Sequence, residues 1–332
     1  NRKTQVTIFN IKDGEKGTMT LNKTYYNTTT REIWIYGMDD KDVFEVFGEQ
    51  DDVIPIRIIG GQNNDTYDIQ HGKGVTIYDH KSKKNTFITD DGKIKLQNNY
   101  EVNSYNHKKL KNSQNLLVPL IGSNKDDGLK IGLSTTYTGY GFERNPFTYR
   151  YGLSMAFFNS HNGFDINYNG EWANVIGNWN AALTGRFTSS NYSINHFGFG
   201  NETTNYEDDY GVDYHRVRTK ITHVNPALKK VGLFDSSIEI GLLYERITVE
   251  QTPQRFIATL PYDLYNTKEY FGVRSVLHFE NFDYVGFPTI GMSSDLEMGW
   301  KQNMDKSDSN FGYLKPAVGF NYKLNHSGTL VL

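Results

Sequence analysis

The segment from Gly128 to Trp172 alternates apolar and polar residues with a period of two, over three successive stretches of about ten residues. In the clearest stretch, one row consists of Phe147, Tyr149, Tyr151, Leu153, Met155 and Phe157. The other row consists of Thr148, Arg150, Gly152, Ser154 and Ala156, with Phe158 as a large apolar exception. Successive side chains of a strand point to opposite faces, so each stretch predicts a strand with one apolar and one polar face.

The same alternation continues towards the end of the sequence, for example in the row Ile238, Ile240, Leu242 and Tyr244. About ten residues is the length of a tilted strand that crosses a bilayer. The apolar rows contain no Lys or Arg, each of which would cost about 2–4 kcal/mol at the bilayer midplane. The pattern predicts antiparallel transmembrane strands, with the Phe147–Phe157 row facing lipid and Arg150 and Ser154 facing the lumen.

A soluble β-sandwich is the alternative, because its strands also alternate apolar and polar residues. Its core favours branched aliphatic side chains, whereas these rows are rich in Tyr, Phe and Trp near the ends of the stretches. Aromatic residues at strand ends are typical of the girdles that meet lipid headgroups. The other rows are small or charged and could not cover a second sheet. The pattern favours the membrane barrel.

Composition narrows the choice of partners and environment. The longest apolar run, Leu116 to Ile121, is too short for a membrane-spanning helix, so a membrane role would need strands. The net charge of −3 and the lack of a basic cluster with interleaved aromatics argue against nucleic acid as a partner. The sequence has no cysteine, which excludes disulfides and thiolate metal sites. It begins at Asn1 without a signal peptide, so we expect upstream residues to have been lost from an exported protein.

The chain divides into three parts by composition. Residues 1–111 predict a soluble periplasmic β domain, residues 112–126 a linker and the start of the barrel, and residues 127–332 the transmembrane strands. A weak repeat aligns Asp42 with Asp65 at a spacing of 23 residues, and Asp65 with Asn85 at a spacing of 20. Such periods predict a small β-solenoid or rolled sheet in which these three residues lie in register on adjacent turns.

The segment from Gly60 to Asp68 resembles one copy of the nonapeptide repeat that binds calcium between turns of a parallel β-roll. Calcium prefers oxygen ligands. The candidate ligands are Asp39, Asp42, Asn63, Asp65 and Asp68. The alternative is an Asx-rich turn whose side chains bond to their own backbone. No other cofactor is expected.

Three further segments resemble the bacterial surface antigen family, whose members insert or translocate proteins at the outer membrane. They are Tyr140 to Pro146 before the strand from Phe147, His196 to Thr203 leading into Asp213 to Arg218, and Phe279 to Asp283 with Phe287 to Gly291. The resemblance covers about Leu116 to Leu332. Residues 1 to about 111 resemble the β region that, in some members, follows a calcineurin-like phosphoesterase.

This resemblance implies an outer-membrane barrel with lipid around it, and with client proteins and periplasmic or lipoprotein partners. The family's barrel has sixteen strands and a late arginine-glycine-phenylalanine motif, which this sequence lacks. We count about ten or eleven strands, too few for the family's closed barrel, and an open sheet edge cannot lie in lipid. We therefore expect the sequence to be the ordered portion of a longer chain.

The sequence predicts no enzyme. Asp79-His80 and Asn195-His196 lack the partners of a metallophosphoesterase site, and no glycine-x-serine-x-glycine motif occurs. Glu171, Glu239, Glu245 and Glu280 are expected on a wet lumen wall. A small-solute channel, a surface-binding barrel or an anchor for an upstream phosphoesterase are alternatives to the assembly barrel. Arg216, Arg218 and Lys220 are predicted to line the lumen, neutralised by acidic residues of neighbouring strands or of a folded-in loop.

Overall fold

The structure, a computed structural model, describes residues 3–48, 54–108, 111–124, 128–143, 146–232, 236–261, 267–284, 286–305, 309–325 and 328–331. The described residues form an all-β protein with two short α-helices. The chain divides into two compact units, Asn1–Leu110 and Lys111–Leu332. Among the described residues, no helix is long and apolar enough to cross a bilayer.

The first unit begins with an antiparallel hairpin of β1 (Lys3–Lys12) and β2 (Glu15–Tyr26), whose turn uses positive φ at Asp13 and Gly14. Short strands follow: β3 (Ile33–Tyr36), β4 (Val43–Val46), β5 (Ile56–Ile59), β6 (Thr66–Ile69), β7 (Val75–Asp79), β8 (Thr86–Asp90) and β9 (Lys93–Leu96), then α1 (Tyr100–Asn103). They form two parallel sheets, β3-β5-β7-β9 and β4-β6-β8. Successive strands therefore alternate between the two sheets.

The predicted repeat is confirmed at the start of the β4-β6-β8 sheet. The backbone N–H of Asp42 donates to Asp65 Oδ1 at 2.9 Å, and the N–H of Asp65 donates to Asn85 Oδ1 at 3.0 Å. Their carbonyls continue the ladder, because Thr66 N bonds Asp42 O and Thr86 N bonds Asp65 O. Each acidic or amide side chain thus bonds to the turn before it, which sets the register of the strands.

The hydrophobic core of this unit lies among these short strands. It contains Ile33, Ile54, Ile56, Ile58, Tyr67, Ile69, Val75 and Ile77, with Val6 and Tyr25 of the hairpin packed against it. The rings of Phe44, Tyr67 and Phe87 stack at 5.3 and 5.1 Å, one from each strand of the β4-β6-β8 sheet. Like residues stack because parallel neighbours in register place equivalent side chains side by side.

The second unit contains one large antiparallel sheet. Its strands are β10 (Gln114–Asn124), β11 (Gly128–Gly139), β12 (Tyr149–Phe158), β13 (Gly163–Ile176), β14 (Trp179–Thr188), β15 (Ser193–Asn195), β16 (Arg216–Val231), β17 (Ser237–Val249), β18 (Lys268–Phe282), β19 (Gly291–Asn303), β20 (Phe311–Asn325) and β21 (Gly328–Val331). The order follows the chain from β10 to β21, except that β15 pairs only with β16. Between the described residues, no ladder joins β10 to β21.

The two faces of this sheet differ in the way the alternation predicts. Leu133, Met155 and Phe157 share one face and remain 45, 48 and 45% exposed. We call the face with this row the outward face and the opposite face the inward face. Phe147 differs from the prediction. It precedes β12, is only 4% exposed, and lies 4.3 Å from the Arg150 guanidinium, so it does not belong to the outward row.

The loops are unequal in length. The connections 189–215 and 250–267 are long and carry β15, α2 (Glu207–Tyr210) and a 3₁₀ helix (Phe256–Thr259). Because neighbouring strands are antiparallel, both long connections lie at the same end of the sheet, which we call the long-loop end. The opposite, short-turn end carries the connections 177–178 and 232–236. The segment 112–126, expected to be a linker and the start of the barrel, contains β10, a full strand of the sheet.

Candidate functional site: the charged inward face of the sheet

Charged side chains from five neighbouring strands meet on the inward face. Arg274 of β18 is at the centre, with Nη1 3.0 Å from Glu239 Oε1 and Nη2 3.0 Å from Glu297 Oε2. Its Nη1 also donates to Asn225 Oδ1 at 3.1 Å. The register places Glu239, Arg274 and Glu297 on β17, β18 and β19 in neighbouring positions, so one guanidinium bridges three strands.

A second cation extends the network towards the long-loop end. Lys301 Nζ lies 2.9 and 3.0 Å from the two oxygens of Glu245, and His223 Nδ1 lies 3.5 Å from Glu245 Oε2. Lys315 of β20 reaches Glu297 at 3.6 Å. These residues line a cavity of about 330 Å³ together with Thr184, Leu243 and Tyr313. The wall is polar, and three carboxylates face three Lys or Arg side chains.

The network continues along the sheet in smaller groups. Arg186 and Asp165 form a bidentate ion pair with hydrogen bonds of 3.1 and 3.0 Å, and Arg186 also donates to the Tyr192 hydroxyl. Lys229 lies 3.4 Å from Glu171, which accepts a hydrogen bond from Asn180. These side chains are half-buried and paired across strands. Removal of one partner would leave the other charge without compensation, so each pair favours the register in which both partners meet. The arrangement is suited to a rigid polar wall of mixed sign.

Phe158, the apolar exception in the polar row, also lies on the inward face. Its ring stacks on His161 at 5.3 Å and meets Tyr192 edge-on at 5.8 Å. The ammonium group of Lys130 lies 5.5 Å from its centroid. Phe158 is therefore buried by aromatic neighbours instead of facing water.

The long loops are anchored by a buried histidine. His215 is fully buried, its Nε2 accepts the backbone N–H of Tyr206 at 3.0 Å, and its Nδ1 lies 3.1 Å from the His196 carbonyl. The ring of Phe256 from the other long connection packs on it at 5.2 Å. His196 and His215 belong to the segments that carry the family resemblance. Those segments thus hold the two loops together at the long-loop end.

The third segment of the resemblance forms the turn between β18 and β19. Asp283 Oδ1 accepts the backbone N–H groups of Thr289 at 2.8 Å and Ile290 at 3.0 Å, and Oδ2 accepts the Thr289 hydroxyl. Hydrogen bonds from Thr289 and Ile290 hold the pKa of Asp283 well below its usual range. The carbonyl of Pro288 accepts a hydrogen bond from Asn321 of β20, which ties the turn to the sheet.

The predicted luminal strip of Arg216, Arg218 and Lys220 is partly wrong. Lys220 lies on the face of Thr222, whose cross-strand neighbour Phe187 is outward, and its ammonium group is 5.5 Å from the Phe187 ring. By alternation Arg218 shares that outward face. Two of the three cations pair with acidic residues of the connections, Arg216 with Asp213 at 2.6 Å and Arg218 with Glu250 at 3.3 Å. Neutralisation of the whole strip inside a lumen is not what these pairs show, because Arg218 and Lys220 lie on the outward face.

The five candidate calcium ligands bond to protein partners. Asp39 accepts a hydrogen bond from Asn63 at 2.7 Å, and Asp68 accepts one from Gln70 at 3.0 Å. Asp42 and Asp65 meet through the ladder described above. Among the described residues, no group of three His, Asp or Glu side chains is arranged to hold a metal ion. Calcium stays a prediction, which a calcium titration of thermal stability would test.

A buried acidic cluster lies next to the ladder. The Tyr67 hydroxyl donates to Asp79 Oδ2 at 2.6 Å, and Asp65, Tyr67 and Asp79 are all 1% exposed or less. The Oδ2 atoms of Asp65 and Asp79 and the Tyr67 hydroxyl occupy the space that a β-carbon at Gly60 would need. Burial raises the pKa of Asp65 to about 7, and burial also raises the pKa values of Asp79 and Tyr67.

Asp79 is the last residue of β7 and is fully buried. The β-rich run from Val75 to Tyr78 predicts the strand that leads to it. Nothing local indicates that Tyr67, 12 residues earlier, is its partner. The sequence matches no protein-family model and no curated protein.

Proposed function

We propose that residues 111–332 form transmembrane strands of a bacterial outer-membrane β-barrel. One observation carries the proposal: the outward face of the sheet is apolar and exposed, whereas the inward face is charged and paired. A soluble protein would bury such a row, because about 25 cal/mol is lost for each Å² of apolar surface left in water. Lipid around the sheet removes that cost without any covering layer.

Aromatic residues at the short-turn end support this placement. Tyr137, Tyr149, Tyr151 and Trp172 form a continuous outward cluster in which ring centroids are 5.1–6.0 Å apart. Trp172 Nε1 also donates to the Tyr151 hydroxyl at 3.0 Å. Rings with one apolar and one polar part favour the boundary between hydrocarbon and headgroups. The cluster fits the aromatic girdle of a membrane barrel.

The distance between two lysines on β16 matches the thickness of an ordinary membrane. Lys220 and Lys230 share the outward face, and the outward residues between them are Thr222, Val224, Pro226 and Leu228. Ten residues of strand at about 3.4 Å each, tilted by about 40°, span about 26 Å along the membrane normal, close to the apolar band of about 25 Å. Each lysine thus reaches one headgroup region while its stem crosses apolar surface.

Within this class we propose protein assembly or translocation as the activity, with the first unit as a periplasmic, solenoid-like domain. The mixed-sign inward wall supports it, because a pore selective for one ion type uses a ring of one charge. The edge strand β10 supports it too. Leu116, Val118 and Leu120 face inward while Leu117 and Ile121 face outward, so an apolar client strand would meet apolar side chains on both faces of this edge.

The test combines depletion with crosslinking in the native host. Loss of the protein should lower the amount of other barrels in the outer membrane, and a photocrosslinker at Leu117 should capture unfolded barrel proteins. The same crosslinker at Leu242, an outward residue inside the sheet, is the control and should capture none. Normal barrel levels, together with ion-selective conductance of the purified protein in planar bilayers, would replace this proposal with a solute channel.

A further inference from the structure

An apolar groove lies on the outward face at the short-turn end, beside the β16–β17 hairpin. Lys230, Ile238, Leu277 and Leu296 are direct cross-strand neighbours on β16, β17, β18 and β19. Three apolar side chains in line therefore lead away from one ammonium group. Together with Phe279 and Ser237, these residues line a groove of about 450 Å³.

Lys230 differs from the arginines Arg218 and Arg246 on the outward face. Arg246 pairs with Glu269 at 3.1 Å, and Arg218 pairs with Glu250 at 3.3 Å. Lys230 is exposed and, among the described residues, has no acidic side chain within ion-pair distance. Its ammonium group lies 5.9 Å from the ring of Trp179. A cation beside a tryptophan, at the end of an apolar groove, is placed to bind an anion outside the protein.

We propose that this groove is a binding site for a phospholipid with an anionic headgroup. The headgroup phosphate would interact with Lys230, because a lysine ammonium is a point-charge ligand for phosphate. An acyl chain would lie along Ile238, Leu277 and Leu296, where it replaces water on an exposed apolar row. The inference rests on the proposed membrane location, since only a bilayer presents headgroup and chain together in this arrangement.

The same strand provides a matched control at its other end. Lys220 is also outward and also lies over an aromatic ring, that of Phe187. Its surroundings are polar, because Thr248 is its cross-strand neighbour and the Arg246–Glu269 pair lies next to it. Lys220 thus has the cation and the ring but lacks the apolar groove. A general attraction between lysine and anionic membranes would involve both residues equally.

The experiment measures the thermal stability of the full chain in detergent with added phosphatidylglycerol or phosphatidylcholine. Phosphatidylglycerol should raise the melting temperature of the wild type and of Lys220→Gln, and this rise should be lost in Lys230→Gln. Leu277→Ser, which keeps the cation but interrupts the groove, should reduce it. An equal rise in Lys230→Gln, or an equal loss in Lys220→Gln, would overturn the site.

Flotation with phosphatidylcholine vesicles separates this outcome from the proposed membrane location. All variants should float if residues 111–332 are embedded in lipid, because phosphatidylcholine has no net charge to select for Lys230. Flotation together with an unselective lipid response refutes the site alone. Failure of the wild type to float refutes both the site and the membrane location.

Discussion

The two units use the same period-two alternation with opposite results. In the first unit, apolar residues such as Ile58, Ile69 and Ile77 point into a core and are almost completely buried. In the second unit, apolar rows such as Leu153, Met155 and Phe157 point outward and stay exposed, whereas charged residues of the inward face pair with one another, as Arg274 does with Glu239 and Lys301 with Glu245. The difference shows that alternation sets which residues share a face, whereas the surroundings of the sheet decide which face is stable.

The cause lies in what covers each sheet. The first unit covers one sheet with another, so apolar side chains find protein neighbours and water is excluded. The large sheet has no second layer over its outward face among the described residues. Its inward face holds charges that need partners, and cross-strand neighbours provide them. Four predictions follow from this contrast: three substitutions in order of decreasing effect, and then a dependence of stability on pH.

Ile77→Ala should have the largest effect, because Ile77 is completely buried in the first unit. Loss of its methyl groups and the resulting cavity should lower the free energy of unfolding by about 2–5 kcal/mol. Hydrogen exchange of peptides from residues 54–108, measured in the full chain, reports this loss. Thr76→Ala on the same strand is the control, since Thr76 is only half-buried. Equal destabilisation by both variants would contradict a strand with one face in the core and the other face towards the surface.

Met155→Arg should prevent insertion, since it places a charge on the outward face at a cost of about 2–4 kcal/mol in lipid. Ser154→Arg is the control, because Ser154 faces Ser134 and Asn167 on the polar inward face. Flotation with vesicles and protease resistance measure insertion. Equal insertion of both variants would contradict a lipid-facing outward surface in the second unit, because Met155 would then behave as a residue exposed to water.

Arg274→Gln should lower stability in detergent by about 1–3 kcal/mol, because Glu239 and Glu297 then lose their shared charged donor. Lys315→Gln is the matched control. Its side chain is 70% exposed and lies 3.6 Å from Glu297, so it should change stability by about 0–1 kcal/mol. Thermal unfolding followed by circular dichroism compares the two variants. Identical melting curves would show that Arg274 does not hold the wall together.

Asp65 should make the first unit less stable as the pH rises. The carboxylate of an exposed ion pair has the opposite effect, because its pKa is lowered in the folded state. Its folded pKa of about 7 lies above the ordinary value of 3.8, so the folded state binds the proton more tightly. Stability should therefore be highest below pH 4, fall between pH 4 and 7, and level off above pH 7. Asp65→Asn keeps the oxygen that accepts the Asp42 N–H and should flatten this profile. Hydrogen exchange across pH, corrected for the intrinsic rate, measures it; an unchanged slope would exclude Asp65.

Much of the fold follows from local pattern. The row of Leu153, Met155 and Phe157 and the ladder of Asp42, Asp65 and Asn85 were both predicted, because each rests on a short spacing along one chain segment. The apolar run from Leu116 to Ile121 lies within β10, although residues 112–126 were predicted only as a linker and the start of the barrel.

The candidate site depended on the pairing between strands. Glu239, Arg274 and Glu297 are separated by 35 and 23 residues, and only the sheet register makes them neighbours. The same is true of Lys230 and Leu296, which the register places in one groove. Loop lengths and neighbouring strands determine such registers, so no single segment contains the information.

The sequence by itself determined the strands, their two faces and the repeat of the first unit. The tertiary structure decided which charges meet, that Lys220 lies outward, and that Asp79 is buried against Tyr67. The physical reason is one of range. Backbone alternation acts between adjacent residues, whereas hydrogen bonds and ion pairs between side chains act only after distant strands have come within a few ångströms of each other.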